Sequence, residues 1–164
     1  MPRRYPRLFV LRGLPGSGKT TVARELVDCE IKTFGVTRLN RDDFRRMMHG
    51  RRFGAARQEQ LVTAAQHAAI RAVLGEGGDV VVDDTNLRDS QIRQFERLAT
   101  ECGAVVEVID LREVPLEECI RRDRLRPGDQ HVGSAVITQM HSDHIAKTSV
   151  AARLAATRAA RSHA

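Results

Sequence analysis

The sequence is poor in aromatic residues and in cysteine. Tryptophan is absent, and aromatic residues make up 4% of the 164 residues. Proteins dedicated to binding single-stranded DNA or RNA stack the bases on aromatic side chains, so the scarcity of aromatic residues argues against a dedicated single-strand-binding protein. The three cysteines, Cys29, Cys102 and Cys119, are odd in number and lack metal-ligand spacing. They are predicted to be buried thiols in a reducing cytoplasm, not disulfides or zinc ligands.

Long hydrophobic runs are also missing. No apolar stretch approaches the roughly 18 residues of a membrane span, and the first residues do not form a signal peptide. We therefore expect a cytoplasmic protein with no membrane partner. The length predicts one domain over residues 1–164, with a basic arm over 1–7 and an Ala- and Arg-rich tail over 147–164.

Basic residues exceed acidic ones. The formal net charge is +6, from 27 Lys and Arg against 21 Asp and Glu. Such a surface suits a polyanion such as nucleic acid. The alternative is that the sequence is rich in arginine for reasons unrelated to binding, and the net charge alone does not decide between these two interpretations.

Residues 13–20 form a complete phosphate-binding motif, G-x-x-x-x-G-K-T. An apolar run precedes it and a helix-forming stretch follows it, which is the context in which this motif binds a nucleoside triphosphate. Backbone N–H groups would surround the phosphates, Lys19 would reach the β- and γ-phosphates, and the Thr20 hydroxyl would bind Mg²⁺. The predicted nucleotide-binding residues are Gly13, Pro15, Gly16, Ser17, Gly18, Lys19 and Thr20.

Strand and helix patterns alternate along the chain. Apolar runs typical of buried strands lie near residues 8–11 and 80–82, and further strands are predicted near 36–39 and 105–109. Helical spacing appears at 58–74, 92–99, 115–126 and around 136–140. This alternation predicts an α/β fold of the P-loop NTPase type, a parallel sheet with helices on both faces. In the helix over 58–74, the predicted apolar face is Leu61, Ala64, Ala65, Ala68 and Ala72.

The segment NRDDFR follows the predicted second strand. Ligands of parallel sheets bind at the carboxyl ends of the strands, so Asp42 is a candidate base for an attacking hydroxyl. Arg45, one helical turn later, is a candidate ligand for an anionic group of the acceptor. An aspartate that merely favours a helix N-terminus is the alternative for Asp42, and the spacing alone does not decide between the two.

Asp83 and Asp84 end the strand over residues 80–82. A carboxylate at this place holds the hydration shell of Mg²⁺ in P-loop enzymes. Side chains alternate along a strand, so only one of the two faces the site, and Asp84 is the favoured candidate. A polar strand end that begins the next helix is the alternative.

An arginine cluster ends at Pro127. The helix is predicted to run to this proline, so that Arg122 and Arg126 share a face and form an arginine-bearing lid over the transferring phosphoryl group. A solvated basic face is the alternative. His141 and His144 lack a third ligand and are predicted to be surface or packing residues.

Together, GLPGSGKT, NRDDFR, VVVDDTN and RRDRLRPG resemble, in order and spacing, the 5′-kinase domain of phage-type polynucleotide kinases, including the kinase module of polynucleotide kinase-phosphatases. The similarity runs from Arg7 to Ile145 and implies an ATP-dependent enzyme of DNA or RNA repair that phosphorylates 5′-OH ends with Mg²⁺. The resemblance implies that Lys19 and Thr20 bind the donor phosphates and Mg²⁺, and that Asp84 acts near the same ion. It implies that Asp42 is the general base and that Arg45, with help from Thr85, binds the acceptor phosphate. It also implies that Arg126, supported by Arg122, contacts the γ-phosphate.

Two absences and two alternatives complete the prediction. The D-x-D-x-T motif of the family's phosphatase domain and a ligase-type lysine motif do not occur, so a separate 3′-phosphatase or ligase is the expected partner. A P-loop kinase acting on a metabolite hydroxyl is the main alternative. A guanine-reading N-K-x-D segment is absent, which argues against a GTPase switch.

Overall fold

The computed structural model describes residues 5–29, 35–50 and 54–147. Within these ranges the strands are β1 (Arg7–Arg12), β2 (Val36–Leu39), β3 (Asp79–Val82) and β4 (Val105–Asp110). The α-helices are α1 (Lys19–Cys29), α2 (Arg41–His49), α3 (Ala56–Gly75), α4 (Asp89–Glu101), α5 (Leu116–Arg124) and α6 (Ser134–His141). A 3₁₀ turn at Gly128–Gln130 lies between α5 and α6, and a π-helical turn at Ser142–Ala146 follows α6.

The chain divides into two compact units. The first, here called the sheet unit, contains the residues up to Arg12 and Gly18–Asp110. The second, here called the arginine unit, contains Gly13–Ser17 and the chain from Leu111 onward. Each unit is described separately below.

The sheet unit is built on four parallel strands in the order β2-β3-β1-β4. β1 lies between β3 and β4, with Leu8 opposite both Val80 and Val106. Parallel neighbours require crossover connections, and helices supply them here. The predicted α/β class and all four predicted strands are confirmed.

Each face of the sheet has its own core because side chains alternate along a strand. On one face α1 covers Phe9, Leu11 and Val81 through Ala23. On the other face α3 and α4 cover the opposite set of strand side chains. This second core contains Leu8, Val10, Val80, Val82, Ile70, Leu74, Ile92, Phe95, Leu98 and Ala99.

The buried face of α3 differs from the predicted one. The buried residues are Val62, Gln66, Ile70 and Leu74, spaced four apart, whereas the predicted Leu61 is 47% exposed. The prediction followed the alanines and passed over a glutamine in the core stripe. Alanine is compatible with either side of a helix, so it carries little information about which face is buried.

Two further expectations change in the sheet unit. Arg7, assigned to the basic arm, is the first residue of β1, and its Nη2 lies 2.7 Å from Oδ2 of Asp79. Residues 1–4 of the arm lie outside the described residues. The cysteines were predicted to be buried, but Cys29 is exposed and Cys102 is half-buried, and burial holds for Cys119 of the arginine unit.

In the arginine unit, α5 ends earlier than predicted. Its last residue is Arg124, so Arg126 lies outside the helix and does not share a helical face with Arg122. Pro127 is the cause, because the residue before a proline is driven out of helical conformation. Lys147 is the last described residue, and the remainder of the predicted tail lies outside the described ranges. No helix in the part of the chain that the structure describes has the length and hydropathy needed to cross a membrane.

Candidate active site

The first part of the glycine-rich loop packs against α5 within the arginine unit. Gly16 has a φ of +83°, and a Cβ at this position would overlap the backbone carbonyl of Cys119. A Cβ on Gly13 would lie 2.6 Å from Oγ of Ser17 and 3.1 Å from Cβ of Leu111. Both glycines are therefore required by close packing as well as by the turn. Pro15 and Ser17, the other predicted loop ligands, are buried.

Arg122 contacts this loop. Its Nη1 lies 3.5 Å from the carbonyl oxygen of Gly16, and its Nε donates to Oε1 of Glu118 at 2.6 Å. The structure thus brings one of the two predicted lid arginines to the predicted phosphate loop. Arg126 instead pairs with Asp123 at 3.6 Å.

Asp123 organises the turn after α5. Its side chain is 2% exposed, and it accepts hydrogen bonds from the backbone N–H groups of Val132 and Gly133, the latter at 2.9 Å. This buried carboxylate connects the end of α5 to the start of α6. The segment that carries Arg126 therefore has a fixed anchor, although its predicted role as a lid stays a prediction.

The second part of the motif belongs to the sheet unit. Gly18 has a φ of +98°, and Lys19 and Thr20 form the first turn of α1. Lys19 is 8% exposed, a degree of burial that lysine seldom has unless it is paired. Its predicted contact with donor phosphates, like that of Thr20 with Mg²⁺, stays a prediction.

Asn40 sets the start of α2 and thereby the position of Asp42. Its Oδ1 accepts hydrogen bonds from the N–H groups of Asp42 at 2.8 Å and Asp43 at 3.2 Å, which caps the helix. Its Nδ2 donates to the carbonyl of Asp83 at the end of β3. One side chain therefore joins the first turn of α2 to the carboxyl end of the neighbouring strand.

Asp42 and Arg45, one turn apart on α2, form an ion pair that was not predicted from the sequence. Nη1 of Arg45 lies 2.6 Å from Oδ1 of Asp42. The opposite edge of the guanidinium binds Glu59 of α3, with Nη2 2.6 Å from Oε2. Hydrogen bonding to Glu59 raises the pKa of Arg45 despite partial burial, and the same bond lowers the pKa of Glu59. No described residue donates to Oδ2 of Asp42, whose side chain is 47% exposed.

Asp84 lies in a buried polar cluster. Its Oδ2 accepts a hydrogen bond from Nε2 of Gln66 at 2.7 Å, and its Oδ1 accepts one from the N–H of Arg41 at 3.0 Å. Burial raises the pKa of Asp84, and the Arg41 charge and the Gln66 amide oppose that rise. Asp83, the neighbouring carboxylate, pairs with Arg38, whose Nη2 lies 2.7 Å from Oδ2.

The segment after Asp84 returns to β1. Asn86 has a φ of +44°, the left-handed conformation that asparagine tolerates better than most residues. Its Nδ2 donates to the carbonyl of Leu11 at 2.9 Å. Thr85, predicted to help bind the acceptor, is half-buried between these two polar residues.

The described residues do not share the positive charge of the whole chain. The segments outside them hold 8 of the 27 basic residues and one of the 21 acidic residues, so the described residues carry 19 basic and 20 acidic side chains. Arg38 of β2 and Arg41 and Arg45 of α2 each pair with a carboxylate. The described residues include no group of three or more His, Cys, Asp or Glu that could hold a metal ion.

Comparison with known proteins places this architecture in a family. Residues 8–147 match the family model described as an AAA domain. The chain belongs to the AAA domain family. This match spans the loop, β1 from its second residue, the other three strands and the segments containing Asp42, Asp84 and Arg126.

Two proteins above 25% identity are similar to this chain. The chain is 32% identical over 113 residues to a probable adenylyl-sulfate kinase of Aeropyrum pernix, covering 69% of this chain and 62% of that protein. It is 28% identical to a chain in the structure of the Pnkp1/Rnl/Hen1 RNA repair complex, with a TM-score of 0.67, covering 85% of this chain and 45% of the other. This AAA domain chain thus spans less than two thirds of either relative.

A third comparison concerns the fold alone. The structure of the Mycobacterium tuberculosis APS kinase CysC in complex with AMPPNP and APS has a TM-score of 0.62 at 18% identity, covering 74% of this chain and 70% of that chain. Together these matches show that the AAA domain here has the fold of P-loop kinases.

Several residues of the site escaped sequence reasoning. Asn40 carried a recognisable signal, an N-cap residue before an acidic first turn. Gln66 carried a weaker one, its i, i+4 and i+8 spacing with Ile70 and Leu74. Glu59 carried none, because its contact with Arg45 depends on how α3 packs beside α2.

Proposed function

We propose that this chain is a polynucleotide 5′-hydroxyl kinase, transferring the γ-phosphate of ATP or another nucleoside triphosphate to the 5′-OH end of DNA or RNA. Four motifs that resemble those of polynucleotide 5′-kinases in order and spacing support this assignment. The similarity to a chain of an RNA repair complex supports it as well. A 3′-phosphatase or ligase activity would complete the repair of such ends.

The arrangement of Asp42 and Arg45 is the observation that carries the proposal. One oxygen of Asp42 is held by Arg45 at 2.6 Å, and the other accepts no hydrogen bond from a described residue. An exposed carboxylate with one oxygen fixed and one open is suited to accept a proton from a hydroxyl group. Arg45 beside it is suited to bind the phosphate that follows the 5′ nucleoside.

The reaction proceeds by in-line displacement. The acceptor oxygen attacks the γ-phosphorus while its proton passes to Oδ2 of Asp42. The bond from the γ-phosphorus to the β–γ bridging oxygen breaks, and the nucleoside diphosphate leaves. Lys19 binds the donor phosphates, and Arg126, with Arg122 in support, stabilises charge on the transferred group.

Mg²⁺ fits the oxygen-bearing side chains available. It prefers oxygen ligands and binds through one or two carboxylates together with substrate phosphates, so a cage of three acidic residues is not required. The Thr20 hydroxyl would bind it directly, and Asp84, held by Gln66 and Arg41, would bind its water ligands. When bound, the ion neutralises charge on the β- and γ-phosphates.

Kinase activity on a small metabolite is the second candidate. The 32% identity to a probable adenylyl-sulfate kinase favours it, and so does the balance of charge among the described residues. A small acceptor needs no basic surface beyond the site. The logarithm of the binding constant of a polynucleotide falls against the logarithm of the salt concentration with a slope of about −0.7 per neutralised phosphate of a single strand. A small acceptor such as adenylyl sulfate contacts few cationic groups, so its turnover should depend on salt much less steeply.

Transfer of labelled γ-phosphate from ATP to 5′-OH oligonucleotides tests the proposal, with adenylyl sulfate as the competing acceptor. We expect transfer to the oligonucleotide that declines with salt. Asp42→Asn should lower kcat by about 10²–10⁴-fold, the contribution of a general base. Asp43→Asn is the matched control, since Asp43 is 54% exposed on the same turn and pairs with Arg38 and Arg46.

Transfer to adenylyl sulfate without transfer to any 5′-OH end would refute the polynucleotide assignment. Equal losses in the two aspartate variants would refute the assignment of Asp42 as base.

A further inference from the structure

Glu59 occupies a position that the proposed reaction does not yet use. It lies in the first turn of α3, and its carboxylate receives Nε of Arg45 at 2.9 Å and Nη2 at 2.6 Å. It also accepts the backbone N–H of Gly54 at 3.2 Å. The Arg45 side chain is 12% exposed and that of Glu59 is 34% exposed, so this ion pair is partly shielded from solvent.

The chemistry of arginine explains why this contact matters. Asp42 and Arg45 are three residues apart on one helix, a spacing that brings their side chains together. A guanidinium facing a carboxylate forms two parallel hydrogen bonds when geometry allows, one to each oxygen. Such a pair would occupy both oxygens of Asp42 and leave none for a substrate hydroxyl.

In the structure Glu59 binds the other edge of Arg45. With Nε and Nη2 held by Glu59, the guanidinium presents Nη1 to Oδ1 of Asp42 at 2.6 Å. Since α3 supplies the competing carboxylate, the orientation of Arg45 depends on a residue 14 positions after it in the sequence. The packing of α3 beside α2 therefore bears on whether the second oxygen of Asp42 stays open.

We infer that Glu59 is the positioning residue of the acceptor site: it holds Arg45 so that one oxygen of Asp42 stays open to accept the proton. This inference rests on the proposed function, because it assigns Asp42 as the base. Glu59 does not touch the reacting atoms and acts through Arg45.

The test compares Glu59→Gln with Glu101→Gln in the full chain. Glu101 of α4 pairs with Arg71 of α3 at 2.9 Å, so it is a glutamate–arginine pair of the same unit, remote from Asp42 in sequence. In Glu59→Gln, kcat/KM for the 5′-OH acceptor should fall about 10- to 100-fold, the loss expected from a misplaced reacting group. The KM for ATP should stay unchanged in Glu59→Gln. In Glu101→Gln, both the kcat/KM for the 5′-OH acceptor and the KM for ATP should stay unchanged.

Two further measurements separate positioning from stability. In an Arg45→Ala background, Glu59→Gln should cause no additional loss, because the residue through which it acts is gone. NMR of the Asp42 carboxyl and the Arg45 Nε–H should shift in Glu59→Gln, which reports the contact without any turnover. Glu59→Asp, which keeps the charge but shortens the side chain, is the second variant if Glu59→Gln fails to fold.

The outcomes are distinct. Wild-type protein that transfers phosphate to no 5′-OH end refutes the proposed function, while the NMR shifts still test the contact. If the wild type is active, three results would each overturn the inference. They are unchanged acceptor kinetics in Glu59→Gln, an equal loss in Glu101→Gln, and additive losses in the Arg45→Ala background.

Discussion

Gln66→Leu should destabilise the sheet unit far more than a glutamine-to-leucine change usually does. Gln66 is 1% exposed in the core stripe of α3, and its amide donates to Oδ2 of Asp84 at 2.7 Å. Leucine fills a similar volume but leaves this oxygen with only Nε of Arg41, at 3.4 Å. A hydrogen bond to a charged group contributes about 1.5–3 kcal/mol, which sets the expected loss in the free energy of unfolding.

That loss corresponds to a fall in Tm of about 3–12 °C, since 1 kcal/mol shifts the Tm of a chain this size by about 2–4 °C. Urea unfolding measures it directly. Gln60→Leu is the matched control, because Gln60 is an exposed residue of the same helix and its substitution should change stability by less than about 0.5 kcal/mol.

A double variant checks the cause. In Asp84→Leu/Gln66→Leu both partners are apolar, so the combined loss should be smaller than the sum of the two single losses. Equal destabilisation in Gln66→Leu and Gln60→Leu would refute the argument that a buried carboxylate depends on this amide. Strict additivity in the double variant would refute the pairing itself.

Two other predictions concern the arginine unit. Gly16→Ala should lower both the Tm and the affinity for ATP, measured by calorimetry, because the new Cβ meets the carbonyl of Cys119. Gly50→Ala is its control, since Gly50 has a φ of +61° and no atom lies near its Cβ position. This control should cost only the strain of the left-handed backbone, about 1–2 kcal/mol of stability. An equal loss of ATP affinity in both variants would exclude the packing explanation. Hydrogen bonding from Arg121 lowers the pKa of Glu118 to about 2, so carboxyl NMR should show a midpoint there. The stabilisation from this pair is present above the unfolded pKa and is lost as pH falls through the folded one, and Glu118→Gln should abolish that dependence; a midpoint near 4 would contradict the pairing.

The sheet could be predicted from the sequence because its signals are local. β1 and β3 are short apolar runs, and turn residues or a glycine-rich loop bound each of them. Parallel order follows once helical segments separate the strands. Candidate site residues could be named from the sequence where a motif places several of them in one continuous segment, as in residues 13–20 and 40–45, and their roles stay predictions.

The failures have a different physical origin. The end of α5 depends on competition between helix propensity and the backbone restriction that Pro127 imposes on Arg126. The buried face of α3 contains Gln66, which only tertiary contact with Asp84 makes favourable in a core. The pairing of Arg45 with Glu59 joins two helices, and no pattern within either helix specifies it.

The central place of β1 has a consequence for how this chain is made. Leu8 pairs with Val80 and Val106, which come 72 and 98 residues later. At about 5–20 residues per second, a ribosome needs about 5 to 20 s to synthesise that interval. During that time the apolar strand has no pairing partner on the β4 side, and closing so long a loop slows the final docking of the sheet. Nascent β1 is therefore the segment that we expect a chaperone to bind first.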